Sequence, residues 1–147
     1  MQKPFPADTN LKISDLPLLD SVEMDMRWGD QDSYGHLNNT LYFRFFEEAR
    51  VQWLQRLGFA VDGQGTGPVV VQTGATYLKP VNYPCRLRVT LRAASPGRSS
   101  LPLYHEIFDS ATGALYGEGF VKLVWVDHQQ NKSVPLPDAL RATIDGL

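Results

Sequence analysis

Met26-Arg27-Trp28-Gly29-Asp30-Gln31-Asp32-Ser33-Tyr34-Gly35-His36-Leu37-Asn38-Asn39-Thr40-Leu41-Tyr42 joins a short apolar strand to a long aromatic helix through a polar, glycine-bearing loop. Upstream, Val22, Met24, Met26 and Trp28 alternate with Glu23, Asp25 and Arg27. That period of two predicts a strand over 21–29 with one apolar face. Downstream, the spacing changes to a helical one from Thr40 to Leu57. Tyr42, Phe45, Phe46, Ala49, Trp53 and Arg56 fall at steps of three or four and define one face, which Leu41, Leu54 and Leu57 widen. Asn38 or Asn39 suits the N-cap, because its side-chain oxygen can accept an orphan backbone N–H. Gly58 suits the C-cap. A helix of about 18 residues spans roughly 27 Å at 1.5 Å per residue.

Beyond the helix, Gly63, Gly65 and Gly67 mark a loop over 60–67. Four strands then follow. The first runs from Pro68 to Lys79, with Gly74 as the expected bulge. The second alternates Leu87, Val89 and Leu91 with arginines. The third covers Leu101 to Phe108. The fourth covers Ala114 to Val126, where Gly117 and Gly119 would permit close backbone approach. One strand, one long helix and four antiparallel strands make an α+β arrangement, and a helix this apolar calls for a curved sheet wrapped round it. Residues 1–20 read as an irregular leader, 21–128 as the domain, and 129–147 as a polar tail with a weak helix over 138–144.

Composition narrows the function. The chain has 147 residues, enough to bury roughly 68–70% of its unfolded surface in one domain. Its net charge of −2 argues against a nucleic-acid partner. One cysteine, Cys85, permits no internal disulfide and no cysteine metal cluster. No stretch approaches the ~18 apolar residues of a membrane span, and the N-terminus lacks a signal-peptide core. A cytoplasmic location is expected. His36, His105 and His128 show no metal-ligand spacing, and there is no G-x-S-x-G elbow, Walker loop or H-E-x-x-H motif.

The loop itself carries chemistry. Asp32 lies seven residues before Asn39 at the start of the helix. A carboxylate there faces unsatisfied N–H groups and a positive dipole end. Such donors can polarise an ester or thioester carbonyl and hold its oxyanion. The carboxylate can activate water as a base, or attack directly to form an anhydride. Turn and cap chemistry alone would also account for an aspartate here. His36 has two readings, a proton-transfer assistant or a residue that orders the loop. The backbone N–H groups of Asn38, Asn39 and Thr40 are the candidate oxyanion donors. Tyr42, Phe45, Phe46 and Trp53 read first as core, while Tyr42 and Phe46, with Tyr34 from the loop, are candidates for a substrate pocket. Lys79, Arg86, Arg88, Arg92 and Arg98 form a modest basic set, either a solvated face or an anion contact. Glu47 is a further carboxylate on another helix face.

The run from Arg27 to Asn39, with Tyr42 and the helix end Glu47-Glu48-Ala49-Arg50, resembles hotdog-fold acyl-CoA thioesterases of the 4-hydroxybenzoyl-CoA thioesterase-like family. Tyr77-Leu78-Lys79-Pro80-Val81-Asn82-Tyr83-Pro84 is similar to that family's strand-turn, although Pro84 and Cys85 replace a common glycine-aspartate turn. The resemblance covers about residues 20–128. It implies a hotdog fold, a long central helix wrapped by a curved antiparallel five-stranded sheet. It implies Asp32 as the catalytic carboxylate and the Asn39 N–H as the donor to the thioester carbonyl, with His36 beside them. It implies an acyl-CoA substrate; from the basic set, Lys79 and Arg98 are the candidates for its phosphates. It implies no metal or organic cofactor. It also implies protomers paired side by side into one sheet, as a homodimer or homotetramer. A non-catalytic acyl-CoA-binding domain and a hotdog hydratase or dehydratase are the alternatives.

Overall fold

The computed structural model describes residues 11–147. The strands are β1 (Leu18–Asp25), β2 (Thr66–Tyr77), β3 (Arg86–Ala93), β4 (Ser100–Asp109), β5 (Leu115–Asp127) and the two-residue β6 (Lys132–Ser133). The helices are α1 (Tyr42–Arg56) and α2 (Asp138–Asp145). The sheet runs β1-β3-β4-β5-β2, all neighbours antiparallel, with β6 beside β5. It curls round α1 in the hotdog arrangement that the resemblance implied.

The helix forms where its residues favour it and stops where they do not. The Asn38 side chain accepts the Thr40 N–H at 2.9 Å, so Asn38 caps a 3-10 turn (Asn39–Leu41) that leads into α1. At the other end Gly58 takes φ 87°, Gly58 N–H donates to Gln55 O, and Phe59 N–H donates to Leu54 O. This is a Schellman closure, and the left-handed φ explains the glycine. The buried face is Tyr42, Phe45, Phe46, Ala49, Arg50, Trp53 and Leu54. Arg56, expected on that face, instead reaches out to Asp20 at 2.7 Å, and Arg50 is inside.

Gly119 lets the helix settle on the sheet. A Cβ there would stand 2.4 Å from Phe46 Cε2, and one at Gly117 would stand 3.2 Å from Tyr42 Cε1. The aromatic rings occupy that space. Two clusters fill the interior. At the loop end Val22, Met26, Leu37, Tyr42, Phe45, Phe46 and Val81 pack together. At the opposite end Trp53, Leu54, Leu101 and Trp125 pack with Leu136, Leu140 and Ile144.

Several boundaries differ from expectation. Residues 1–10 of the expected leader lie outside the described residues. Of its remainder, Ile13 is buried with Tyr104 and Phe120, and β1 already begins at Leu18. The strand stops at Asp25, because Asp30 draws the chain into a 3-10 turn (Trp28–Asp30). Asp30 Oδ2 accepts the Arg27 N–H, and Arg27 Nη2 donates to Asp30 Oδ1 at 3.0 Å. Trp28 is turned outward, 75% exposed. The bulge in β2 sits at Val71, where the register shifts between Val70 and Gln72, and Gly74 pairs regularly with Phe120. The tail carries the expected helix as α2, and its Leu136, Leu140 and Ile144 seal the core. Removing the Leu140 side chain from such a site costs on the order of 2–5 kcal/mol.

Candidate active site

Two carboxylates in the opening stretch have different surroundings. Asp30 is 3% exposed. Both its oxygens are bonded to Arg27, and its carbonyl accepts the Asn38 N–H at 2.9 Å. It builds the loop. Asp32 is half-buried, and its loop is closed by Asp32 N–H to His36 O at 2.7 Å. Asp32 Oδ1 accepts the N–H of Tyr34 at 2.8 Å and of His36 at 3.2 Å. Asp32 Oδ2 has no hydrogen-bond partner among the described residues. The carboxylate is thus held by one oxygen and open at the other.

The 77–84 segment clamps this loop. Leu37 N–H donates to Val81 O at 2.8 Å, and His36 bridges Asn82. Between loop, helix start and clamp lies a cleft of about 340 Å³ lined by Asp32, His36, Leu37, Asn39, Tyr42, Tyr77, Leu78, Lys79 and Pro80. The three candidate oxyanion donors separate here. Asn38 N–H is taken by Asp30 O, and Thr40 N–H is taken by Asn38 Oδ1. Asn39 N–H has no partner among the described residues, so one donor remains where three were expected.

Tyr77 had no assigned part, although its segment carried the resemblance. Its hydroxyl donates to Asn39 O at 2.9 Å, and its ring meets Tyr42 edge to face at 4.8 Å. Burial, with Tyr77 nearby, pushes the Tyr42 hydroxyl up to about 12. Tyr42 therefore stays a neutral phenol at physiological pH.

The expected residues do not all converge. Asp32, His36, Asn39, Tyr42 and Lys79 line one cleft. Phe46 is 1% exposed, lies flat on the His105 ring at 4.8 Å, and is core. Tyr34 is 83% exposed at the turn tip and is not part of the lining. Arg98 sits between β3 and β4 at the sheet end opposite the cleft, where its carbonyl accepts the Leu136 N–H. The other arginines are engaged locally: Arg86 with Glu23 and Asp25, Arg92 with Glu106, and Arg88 over the Phe108 ring. Glu47 is exposed and paired with Arg44 at 3.0 Å. Burial raises the Cys85 thiol, which leaves little thiolate. Among the described residues no group of three or more His, Cys, Asp or Glu is placed to hold a metal ion, and no helix is long and apolar enough to cross a membrane.

A carboxylate with one open oxygen, on the same cleft as a free backbone donor at a helix start, is equipped for acyl chemistry. Known proteins similar to this chain include thioesterase candidates. PA2801 of Pseudomonas aeruginosa, a thioesterase candidate, is 50% identical over 87% of this chain and 99% of its own, with a TM-score of 0.84. XC229 of Xanthomonas campestris, an acyl-CoA thioesterase candidate, is 33% identical over 82% of this chain and 100% of its own, with a TM-score of 0.74. The L-carnitine dehydrogenase/betainyl-CoA thioesterase of Agrobacterium fabrum is 27% identical across 100% of this chain, which spans only 30% of that longer protein. The thioesterase-like superfamily matches residues 26–144, and the chain belongs to it.

Proposed function

We propose that this protein is an acyl-CoA thioesterase that works through Asp32 and the Asn39 N–H. The observation that carries this reading is the pairing, on one cleft, of the unbonded Asp32 Oδ2 with the uncommitted Asn39 N–H. The thioester carbonyl oxygen accepts the Asn39 N–H, which draws charge from the carbonyl carbon. On one route Asp32 takes a proton from water as the water oxygen bonds to that carbon. The C–S bond then breaks, and the departing sulfur receives the proton, giving acid and free coenzyme A. On the other route Asp32 Oδ2 itself bonds to the carbon and displaces the thiolate. Water then cleaves the mixed anhydride and restores the carboxylate. His36 lines the cleft beside Asp32 and belongs to its ordering. Lys79 lines the same cleft and suits a coenzyme A phosphate.

The assembly we propose is a homodimer joined through β2, with further pairing to a tetramer open. β2 is a sheet edge of 12 residues, and it exposes Val70 (47%) and Val71 (55%). A long apolar edge favours pairing with another strand. Val71→Lys should lower the mass seen by light scattering, and an unchanged mass would remove β2 from the interface.

A screen of thiol release from short, long, aromatic and betainyl coenzyme A esters tests the activity. Hydrolysis of at least one class by the wild type, lost in Asp32→Asn, is expected. Binding without turnover across the screen would favour the non-catalytic reading, and loss of enoyl absorbance from an enoyl ester would favour the hydratase.

A further inference from the structure

Tyr42 opens α1 and is only 3% exposed, yet it lines the cleft that also holds Asp32 and Asn39. Its ring meets the Tyr77 ring edge to face and packs where Gly117 leaves room. The Tyr77 hydroxyl is spent on Asn39 O. The Tyr42 hydroxyl has no hydrogen-bond partner among the described residues. Burial keeps it protonated, so it offers a donor throughout the physiological range. The proposed reaction uses the Asp32 carboxylate and the Asn39 N–H, and it gives this phenol no part.

The lining has two depths. Asn39, Tyr77, Leu78, Lys79 and Pro80 are exposed and form a rim, whereas Leu37 and Tyr42 are buried and form a floor. Behind the floor, Phe46 occupies the room left by Gly119 and lies flat on the His105 ring. That interior is packed and offers an acyl chain no path inward. A bound coenzyme A ester must keep its long polar arm on the exposed rim. Its acyl group then lies against Leu37 and Tyr42. A plain hydrocarbon there would displace water from the phenol and leave the O–H unpaired. An uncharged oxygen on the acyl group would accept that O–H. A carboxylate in its place would meet the like charge of Asp32 in the same cleft.

We propose that Tyr42 selects the substrate: the cleft favours acyl groups that carry an uncharged oxygen, hydroxyl or carbonyl, close to the thioester, and discriminates against plain hydrocarbon acyl groups of equal length. The choice of ligand rests on the thioesterase reading. Tyr42 donates a hydrogen bond to the acyl oxygen and transfers no proton, so it is a specificity residue. A donor that is buried and otherwise unpaired discriminates strongly, because the substrate lacking the acceptor forfeits the bond and also strands the donor.

Thiol release from butanoyl-CoA, 2-hydroxybutanoyl-CoA and 3-hydroxybutanoyl-CoA tests this at constant chain length. At least one hydroxylated ester should exceed butanoyl-CoA in kcat/KM by roughly tenfold or more, the factor for one buried donor left unpaired. Tyr42→Phe keeps the ring and removes the donor. It should bring that ratio to within about threefold of unity, whereas a merely structural role would slow all three esters alike and leave the ratio standing. Equal kcat/KM for the three esters in the wild type, a preference for butanoyl-CoA, or a preference that survives in folded Tyr42→Phe would each overturn the proposal. If Tyr42→Phe does not fold, the wild-type ratio decides. If the wild type releases no thiol from any ester, the thioesterase reading fails, and calorimetric titration with the same three esters judges the phenol separately. Affinity for a hydroxylated ester roughly tenfold above that for butanoyl-CoA would uphold the selection, and equal affinities or no binding would end it.

Discussion

Two clefts border the same helix and the same edge strand, and each sets an acidic beside a basic side chain, Asp32 with Lys79 in one and Glu47 with Arg50 in the other. The cleft at the start of α1 presents the Asp32 carboxylate, fixed by backbone N–H groups of its own loop, and shares its lining with Asn39. The cleft farther along presents the Arg50 guanidinium, fixed by an imidazole that lies 55 residues away in sequence. The first sets the loop and helix start, which are neighbours in the chain, against the 77–80 segment. The second is walled by α1, Val61, β2 and β5, with His105 of β4 behind Arg50. Local chemistry can therefore be read from a stretch of residues, whereas a buried charge is created by whatever happens to be packed above it.

The contrast would break most completely at Asp32. If that carboxylate reacts, Asp32→Asn should lower kcat roughly 10²–10⁴-fold, the range for a positioned acid or base, with circular dichroism unchanged. A decrease under about threefold in a steady-state assay would place the chemistry elsewhere.

The second cleft depends on His105 being held neutral, and acid tests that. Its folded pKa, about 3, lies below its unfolded value near 6.5. The unfolded chain binds the extra proton first, so this group's stability is present above about pH 6.5 and is lost as pH falls toward 3. Denaturant midpoints should drop through that window, and His105→Gln should flatten the slope. An unchanged slope would mean that other groups dominate acid unfolding.

Smaller effects sharpen the first cleft. Tyr77 holds the Asn39 carbonyl, and so steadies the helix start that carries the free N–H. Tyr77→Phe removes a bond worth about 0.5–1.5 kcal/mol, so kcat should fall severalfold with KM nearly constant. A rise in KM alone would make Tyr77 a binding residue instead. Asn38→Ala deletes the cap to Thr40 and should cost about 1 kcal/mol in chemical denaturation, with a smaller loss of activity. A stability loss near zero would show that α1 needs no cap once packed.

Much of the fold was legible because its signals are short-range. The change of period at Asn38, the Gly58 stop and the close approach at Gly117 and Gly119 each follow from backbone geometry or a missing side chain. That Asp32 and Asn39 come to line one cleft was legible for the same reason, since seven residues separate them at the start of a helix. Reading failed where the deciding partner was distant. Asn38 and Thr40 were expected to offer N–H groups that Asp30 and the Asn38 side chain consume. Phe46 was expected at a pocket, and Gly119 and His105 enclose it. Arg98 was expected near the substrate, and the sheet order carries it to the opposite end.

What the sequence determined by itself was the strand–loop–helix unit and the carboxylate poised before the helix, because periodicity, caps and turns act within a few residues. The tertiary structure alone decided which donor stays free, that α2 closes the core, and that Arg50 is buried beside a neutral histidine. Those outcomes depend on which surfaces meet when the sheet curls, and no local pattern records that.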